Sequence, residues 1–182
     1  MKQLFSKYKS VVLFLLLFLG SYLVLSLLYG LYLKFSKDGG LASDFITNLV
    51  AKQSSAVIES FGYSAQVVPH PHQPSMKLFV EGRFLARIVE GCNALSIIIL
   101  FVSFIIAFAQ SFKKTVLYIF AGIVLIYAIN ILRIAILAIA LYTYPEHQHL
   151  LHGVVFPGII YGMVFLLWLI WVRLVTPKSG KE

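Results

Sequence analysis

The chain has 182 residues, of which 60% are hydrophobic and 12% charged, with a net charge of +8 and a mean hydropathy of +0.90. Soluble domains carry roughly 25% charged residues, so this composition excludes an ordinary soluble protein and indicates an integral membrane one. The one cysteine, Cys92, excludes an intrachain disulfide, a Cys-x-x-Cys redox centre and a multi-cysteine zinc site.

The positive balance gives no reason to expect nucleic acid. No basic patch interleaved with aromatics stands in a soluble stretch, and lysines flanking apolar spans set topology instead.

Met1 to Lys9 is a basic leader, and residues 11–33 follow as a first span. Its apolar part is 23 residues long, against roughly 7–15 in a signal peptide, so an uncleaved anchor is expected.

Residues 34–93 form the one sizeable soluble segment. Gly39-Gly40 ends the first helix, and Ser43 or Asp44 is placed to cap a second. Phe45, Ile46, Leu49, Val50, Val57, Ile58 and Phe61 then recur at helical spacing. They predict an amphipathic helix whose apolar face packs on the membrane or on the other spans.

After Gly62 the period changes, and Tyr63 to Val68 reads as a short strand. Pro69 to Pro74 is a loop, because prolines cannot donate to a ladder. Met76 to Val80 and Phe84 to Val89 form a hairpin turning at Glu81-Gly82-Arg83, and it delivers the chain to Cys92. So small a sheet needs neighbouring helices for support.

Three further spans are expected, over residues 94–108, 116–142 and 154–175. The fold class is therefore an all-α integral membrane protein, a single membrane domain over 1–182. It has four transmembrane helices, with an extracytoplasmic amphipathic helix and a small β-hairpin between the first two.

Lys2, Lys7 and Lys9, the Lys113-Lys114 turn, and Arg173, Lys178 and Lys181 fall on one side, while the turn from Thr143 to Leu151 has no Lys or Arg. That pattern puts both termini in the cytoplasm. The 34–93 segment carries six Lys or Arg and argues the other way, but it is near the ~60-residue length at which the rule loses force.

Arg133 interrupts an apolar span, where a central arginine costs about 2.5–3.5 kcal/mol on the insertion scale. Counted from Val116 it lies about 26 Å along the helix at 1.5 Å per residue, near the far boundary of a hydrocarbon core of about 30 Å. That is the depth expected of Cys92. Asn130, one turn earlier, shares its face and is placed to accept from the guanidinium.

Alone, Arg133 reads equally as a snorkelling anchor, and Cys92 reads first as an inert buried thiol. Two features favour a reactive thiol: small or polar neighbours (Gly91, Asn93, Ala94) and a position at a helix start, whose dipole favours thiolate. Glu90 opposes it, since a nearby carboxylate raises a thiol pKa.

His70 and His72 sit in the proline loop and read as solvated. His147, His149 and His152 cluster before the last span. Their spacing suits a metal only if Cys92 or Glu146 supplies another ligand. Acid–base work for a thiol is the simpler use, so neither a metal nor a cofactor is expected.

Together these residues resemble the exosortase/archaeosortase family. The likeness rests on a cysteine after a strand at the mouth of a span (Glu90-Gly91-Cys92-Asn93-Ala94-Leu95), an Asn-x-x-Arg in the next span (Asn130 to Arg133) and a histidine opening the last. The chain's short length and the Phe156-Pro157-Gly158-Ile159-Ile160-Tyr161-Gly162 stretch look like the compact XrtF type. The likeness covers roughly residues 75 to 172. Ala94 stands where the family often has glycine, and four spans are about half the number in full-length exosortases.

The resemblance implies a membrane-embedded cysteine protease or transpeptidase of the inner membrane. Its partners would be exported proteins bearing a C-terminal motif, a hydrophobic helix and a basic tail. By carry-over Cys92 is the nucleophile, Arg133 the stabiliser of oxyanion or thiolate, and His149 or His152 the proton donor, with Asn130, Glu90 and Asn93 in support. The rival readings are a non-enzymatic membrane scaffold, in which Cys92 only packs, and a small anion transporter, in which Arg133 matters and Cys92 does not.

Overall fold

The thirty residues from Lys9 to Asp38 contain no proline and almost no charge before Lys34, and they form one helix, α1. The structure is a computed structural model. It describes residues 8–38, 43–109, 111–147 and 150–175, with the backbone alone at residues 37, 38, 147 and 152.

Asp44 starts the second helix, α2 (Phe45–Ser60), by accepting the N–H groups of Ile46 and Thr47 on its side chain. Those are two of the four donors that a helix start leaves unmet. The buried face of α2 differs from the expected one. It consists of Thr47, Val50, Ala51, Ser54, Ser55 and Ile58, while Phe45 and Phe61 are exposed. Small side chains let α2 approach Ala135 and Ala138 of a neighbouring helix closely. Of the expected face, Val50 and Ile58 are buried and Ile46 and Val57 pack beside them; hydropathy periodicity weights Phe above Ser and so misses the small residues of the buried stripe.

The expected hairpin is the larger part of a three-stranded antiparallel sheet. The strands are β1 (Ala65–Pro69), β2 (Ser75–Val80) and β3 (Arg83–Val89), in the order β1-β2-β3. Pro69 takes the last place of β1, on the sheet's outer edge, where a missing N–H costs no ladder bond. Glu81 and Gly82 both have positive φ, as a two-residue type I′ turn requires. Between β2 and β3 the register slips at Leu78/Phe79, leaving Leu85 as the extra residue of a bulge.

A short 3-10 turn, Glu90–Cys92, follows β3, and then come α3 (Leu95–Ala107) and α4 (Phe112–Thr143). A 3-10 turn at Pro145–His147 and a wide π turn at Leu151–Val155 lead into α5 (Phe156–Val175).

Among the described residues three helices are long and apolar enough to cross a membrane: Lys9–Ser36, Phe112–Thr143 and Gly153–Val175. The expected span at 94–108 is a helix of only 13 residues, about 20 Å long against a core of about 30 Å.

Two larger buried clusters share α4. One joins Val50, Ala51 and Ile58 of α2 and Met76, Leu78, Val80 and Ile88 of the sheet to Ile134, Ala135 and Ala138 of α4. The other joins Ala94, Ile98, Phe101 and Ile105 to Ile126 of α4 and Val164 and Trp171 of α5. Helix α4, roughly 48 Å long at 1.5 Å per residue, runs through both, and Arg133 lies at the junction. Helix α4 meets α3 at Gly122, where a Cβ would stand 2.2 Å from the tip of the Phe101 ring.

Candidate active site

Cys92 is half-buried and closes the 3-10 turn directly after β3. It lies three residues ahead of α3 rather than in the first turn of that helix. The Leu95 N–H is already taken by Asn93 Oδ1 at 3.0 Å, so the helix-start argument for a thiolate is weaker than the sequence suggested. Ala94, the junction residue, has φ +65°. Left-handed backbone is costly for any side chain with a Cβ and here turns the chain sharply from the cysteine into α3.

What α4 places opposite the thiol is polar. Asn130 is fully buried, and its Nδ2 donates to the Cys92 carbonyl oxygen at 2.7 Å. Its Oδ1 accepts from an Arg133 terminal nitrogen at 3.4 Å. One amide thus ties the cysteine backbone to the guanidinium. The Arg133 Nε is buried and has no hydrogen-bond partner among the described residues. A buried donor left unmet costs about 1–3 kcal/mol, more when charged.

Cys92 and Arg133 line the same cavity, of about 440 Å³. Its walls are Phe84 to Val89 of β3, Leu78 of β2, and the α4 stripe Ile134, Leu137, Ala138 and Leu141. Apolar walls lower the local dielectric, which strengthens the field of the Arg133 guanidinium.

Asn93 and Glu90 lie on the other side of the turn. Asn93 is buried, and its Nδ2 donates to the Tyr29 hydroxyl at 3.0 Å and to Thr47 Oγ1 at 3.2 Å. The Tyr29 hydroxyl lies 3.4 Å from the Glu90 carbonyl oxygen, to which it donates. These bonds pin the turn to α1 and α2. Glu90 lines a neighbouring cavity of about 640 Å³, together with Tyr29, Gly91 and Ser96, and not the cavity of Cys92.

Tyr29 and Thr47 escaped the sequence reading. A tyrosine deep in an apolar helix was the available signal for the first. Nothing marked the second.

Of the histidines, His149 lies outside the described residues. His152 belongs to the π turn Leu151–Val155, and its backbone alone is described. Leu151 of that turn packs with Leu137 and Leu141 of α4, both of which also line the Cys92 cavity. The turn carrying His152 therefore abuts the helical wall of the site. Wide turns of this kind recur at functional positions.

His70 and His72 belong elsewhere. His70 lines a separate cavity with Lys77, Phe79, Phe84 and Arg87. Desolvation, then the cations of Lys77 and Arg87, lower its pKa from the usual imidazole value.

A thiol, an amide and a guanidinium converge where a membrane-length helix meets a small sheet. The transmembrane exosortase (Exosortase_EpsH) family model matches residues 6–172, and the chain belongs to that family. At the level of the family this means cysteine peptidase or transpeptidase chemistry in a membrane, on exported proteins with C-terminal sorting signals. No curated protein and no solved structure matches the chain.

Proposed function

We propose that this chain cleaves the C-terminal sorting signal of exported proteins by thiol catalysis at the outer boundary of the inner membrane. The carrying observation is the shared cavity: Cys92 and Arg133 line it together, and Asn130 bonds to both residues.

The Cys92 thiolate would attack the scissile carbonyl, placing the electron pair of the C=O bond on oxygen. Arg133, held in an apolar surround, would stabilise that oxyanion. Collapse breaks the C–N bond as His149 or His152 gives a proton to the departing amine, leaving a thioester on Cys92. Water or an acceptor amine then displaces the thiol, giving hydrolysis or transpeptidation.

Four crossings with both termini cytoplasmic fit this chemistry. Lys113 and Lys114 open α4, at the end of α3 away from Cys92, and this supports a cytoplasmic α3–α4 turn. Helix α3 would cross with the help of its flanks, surrounded by α1, α4 and α5. The site then faces the extracytoplasmic side.

The test is processing of a substrate protein in cells that carry Cys92→Ala, Arg133→Ala, His149→Ala or His152→Ala at normal protein levels. Loss of cleavage is expected for the first two and for one of the histidines. Unchanged processing in Cys92→Ala cells refutes the proposal and leaves the scaffold reading. Labelling of Cys92 by a membrane-impermeant thiol reagent from the cytoplasmic side only would refute the topology.

A further inference from the structure

The cavity at Cys92 is a slot along the edge of a strand. A cavity lying over one face of β3 would touch every second residue, because side chains alternate across a sheet. This one is lined by six in succession, Phe84 to Val89. With Leu78 of β2 also in its lining, it reaches from the sheet face around to the side of β3 that faces away from β2, and no described strand pairs there.

The hydrogen-bond phase of the sheet shows what that edge offers. The Glu81 N–H donates to the Ser64 carbonyl and the His70 N–H to the Ser75 carbonyl, each at 2.9 Å. Ser75, Lys77, Phe79 and Glu81 thus turn their peptide groups toward β1, and Met76 and Leu78 turn theirs toward β3. Met76 and Leu78 pair with Ile88 and Ala86. Arg87 and Val89, which pair with Lys77 and Ser75, direct their N–H and C=O groups away from β2 and into the slot.

We propose that the substrate segment ahead of the scissile bond binds there as an added strand, parallel to β3. This rests on the thiol-peptidase reading of Cys92. An extended chain is the occupant because it alone presents donors and acceptors at the spacing of a strand edge. A helix satisfies its own backbone groups and would leave those of Arg87 and Val89 unmet.

The dimensions agree. Six strand residues span roughly 17 Å at 3.3 Å each, enough for five or six substrate residues. The opposite wall is the apolar stripe of α4. At the far end the Arg83 guanidinium sits 5.6 Å from the centre of the Tyr142 ring, joining strand to helix.

The direction follows from the two ends of the slot. β3 runs toward Cys92, and on the proposed topology the membrane lies beyond the Arg133 end of the slot. A substrate whose hydrophobic tail continues into the bilayer must therefore lay its preceding residues outward along the slot, running in the same sense as β3.

The experiment uses the full chain in lipid nanodiscs and a pool of acetylated pentapeptide vinyl sulfones with varied apolar side chains. The Cys92 sulfur adds to the vinyl group and the proton passes to the adjacent carbon, so nothing leaves and the mass of the adduct reports the rate. Phenyl vinyl sulfone, which has no peptide, normalises for thiol reactivity.

The peptides are expected to label Cys92 at least tenfold faster than the phenyl reagent. Backbone N-methylation should slow labelling tenfold at alternate peptide positions and less than twofold at those between. Arg87→Pro removes a donor that faces the slot and spares the β2 ladder. It should lose the peptide advantage to a greater extent than Arg87→Ala.

Uniform tolerance of N-methylation, or no peptide advantage over the phenyl reagent, overturns strand docking. The N-methyl series uses the wild-type chain, so it decides even where Arg87→Pro does not fold. Processing that survives Cys92→Ala in cells would instead overturn the enzymatic reading, whatever the peptide series shows.

Discussion

Asn130 Nδ2 donates to the carbonyl oxygen of Cys92 at 2.7 Å, across a separation of 38 residues in the chain. A fully buried amide in α4 thereby holds the main chain at the cysteine, and its other atom receives Arg133.

Asn130→Ala leaves the Cys92 carbonyl and one guanidinium nitrogen unmet, at a cost of about 1–3 kcal/mol. The rate of substrate processing should fall at least tenfold, about 1.4 kcal/mol in barrier. Asn130→Asp should be worse, because a carboxylate oxygen replaces the donor facing a carbonyl. Processing rates normalised to protein level in isolated membranes check both.

Arg133→Lys keeps the charge but loses the planar fork that can serve Asn130 and an oxyanion together. It should retain a fraction of activity, while Arg133→Ala loses about 10²–10³-fold, the usual range for removing an oxyanion donor. Equal activity of Lys and Arg at this position would show that charge alone suffices.

Ala94 sits at φ +65° and is 3% exposed, so two effects oppose each other on replacement. Glycine relieves about 1–2 kcal/mol of left-handed strain but gives up a buried methyl worth about 0.8 kcal/mol. Ala94→Gly should therefore melt within a few degrees of wild type or slightly above it. Ala94→Val, β-branched at a positive φ, should be destabilised by about 2 kcal/mol or more. Thermal unfolding in detergent measures both.

Gly122 meets the tip of the Phe101 ring, and Phe101 is fully buried. Gly122→Ala must displace that ring and should destabilise the bundle by about 1–3 kcal/mol. Gly122→Ala combined with Phe101→Leu should recover part of the loss. A double-mutant cycle in which the two effects simply add would show that the contact is not the cause.

Much of the fold could be read from the residues. Apolar runs located the membrane-length helices, and Asp44 was one of two expected caps. The Asn130–Arg133 spacing placed both side chains on one helical face, because three residues make nearly one turn.

The polar packing was not legible. Thr47, Ser54 and Ser55 are buried because small size matters at a close helix contact, and hydropathy does not encode size. The β1 strand was visible, but not its pairing with β2, which depends on long-range register. The bulge at Leu85 and the left-handed turn at Ala94 are local departures that no periodicity announces. The slot at β3 follows from which side of the sheet stays unpaired, a property of topology and not of any single residue.

Helix α4 is continuous from Phe112 to Thr143, and the same rod forms part of the bundle and one wall of the slot. Its tilt responds to the thickness of the surrounding lipid, since a helix longer than the hydrocarbon layer leans to match it. Any lean moves Leu137 and Leu141 relative to β3, so the width of the slot becomes a function of lipid chain length. Peptide labelling of Cys92 should accordingly pass through an optimum as nanodisc acyl chains are lengthened, making the bilayer itself a setting of the enzyme.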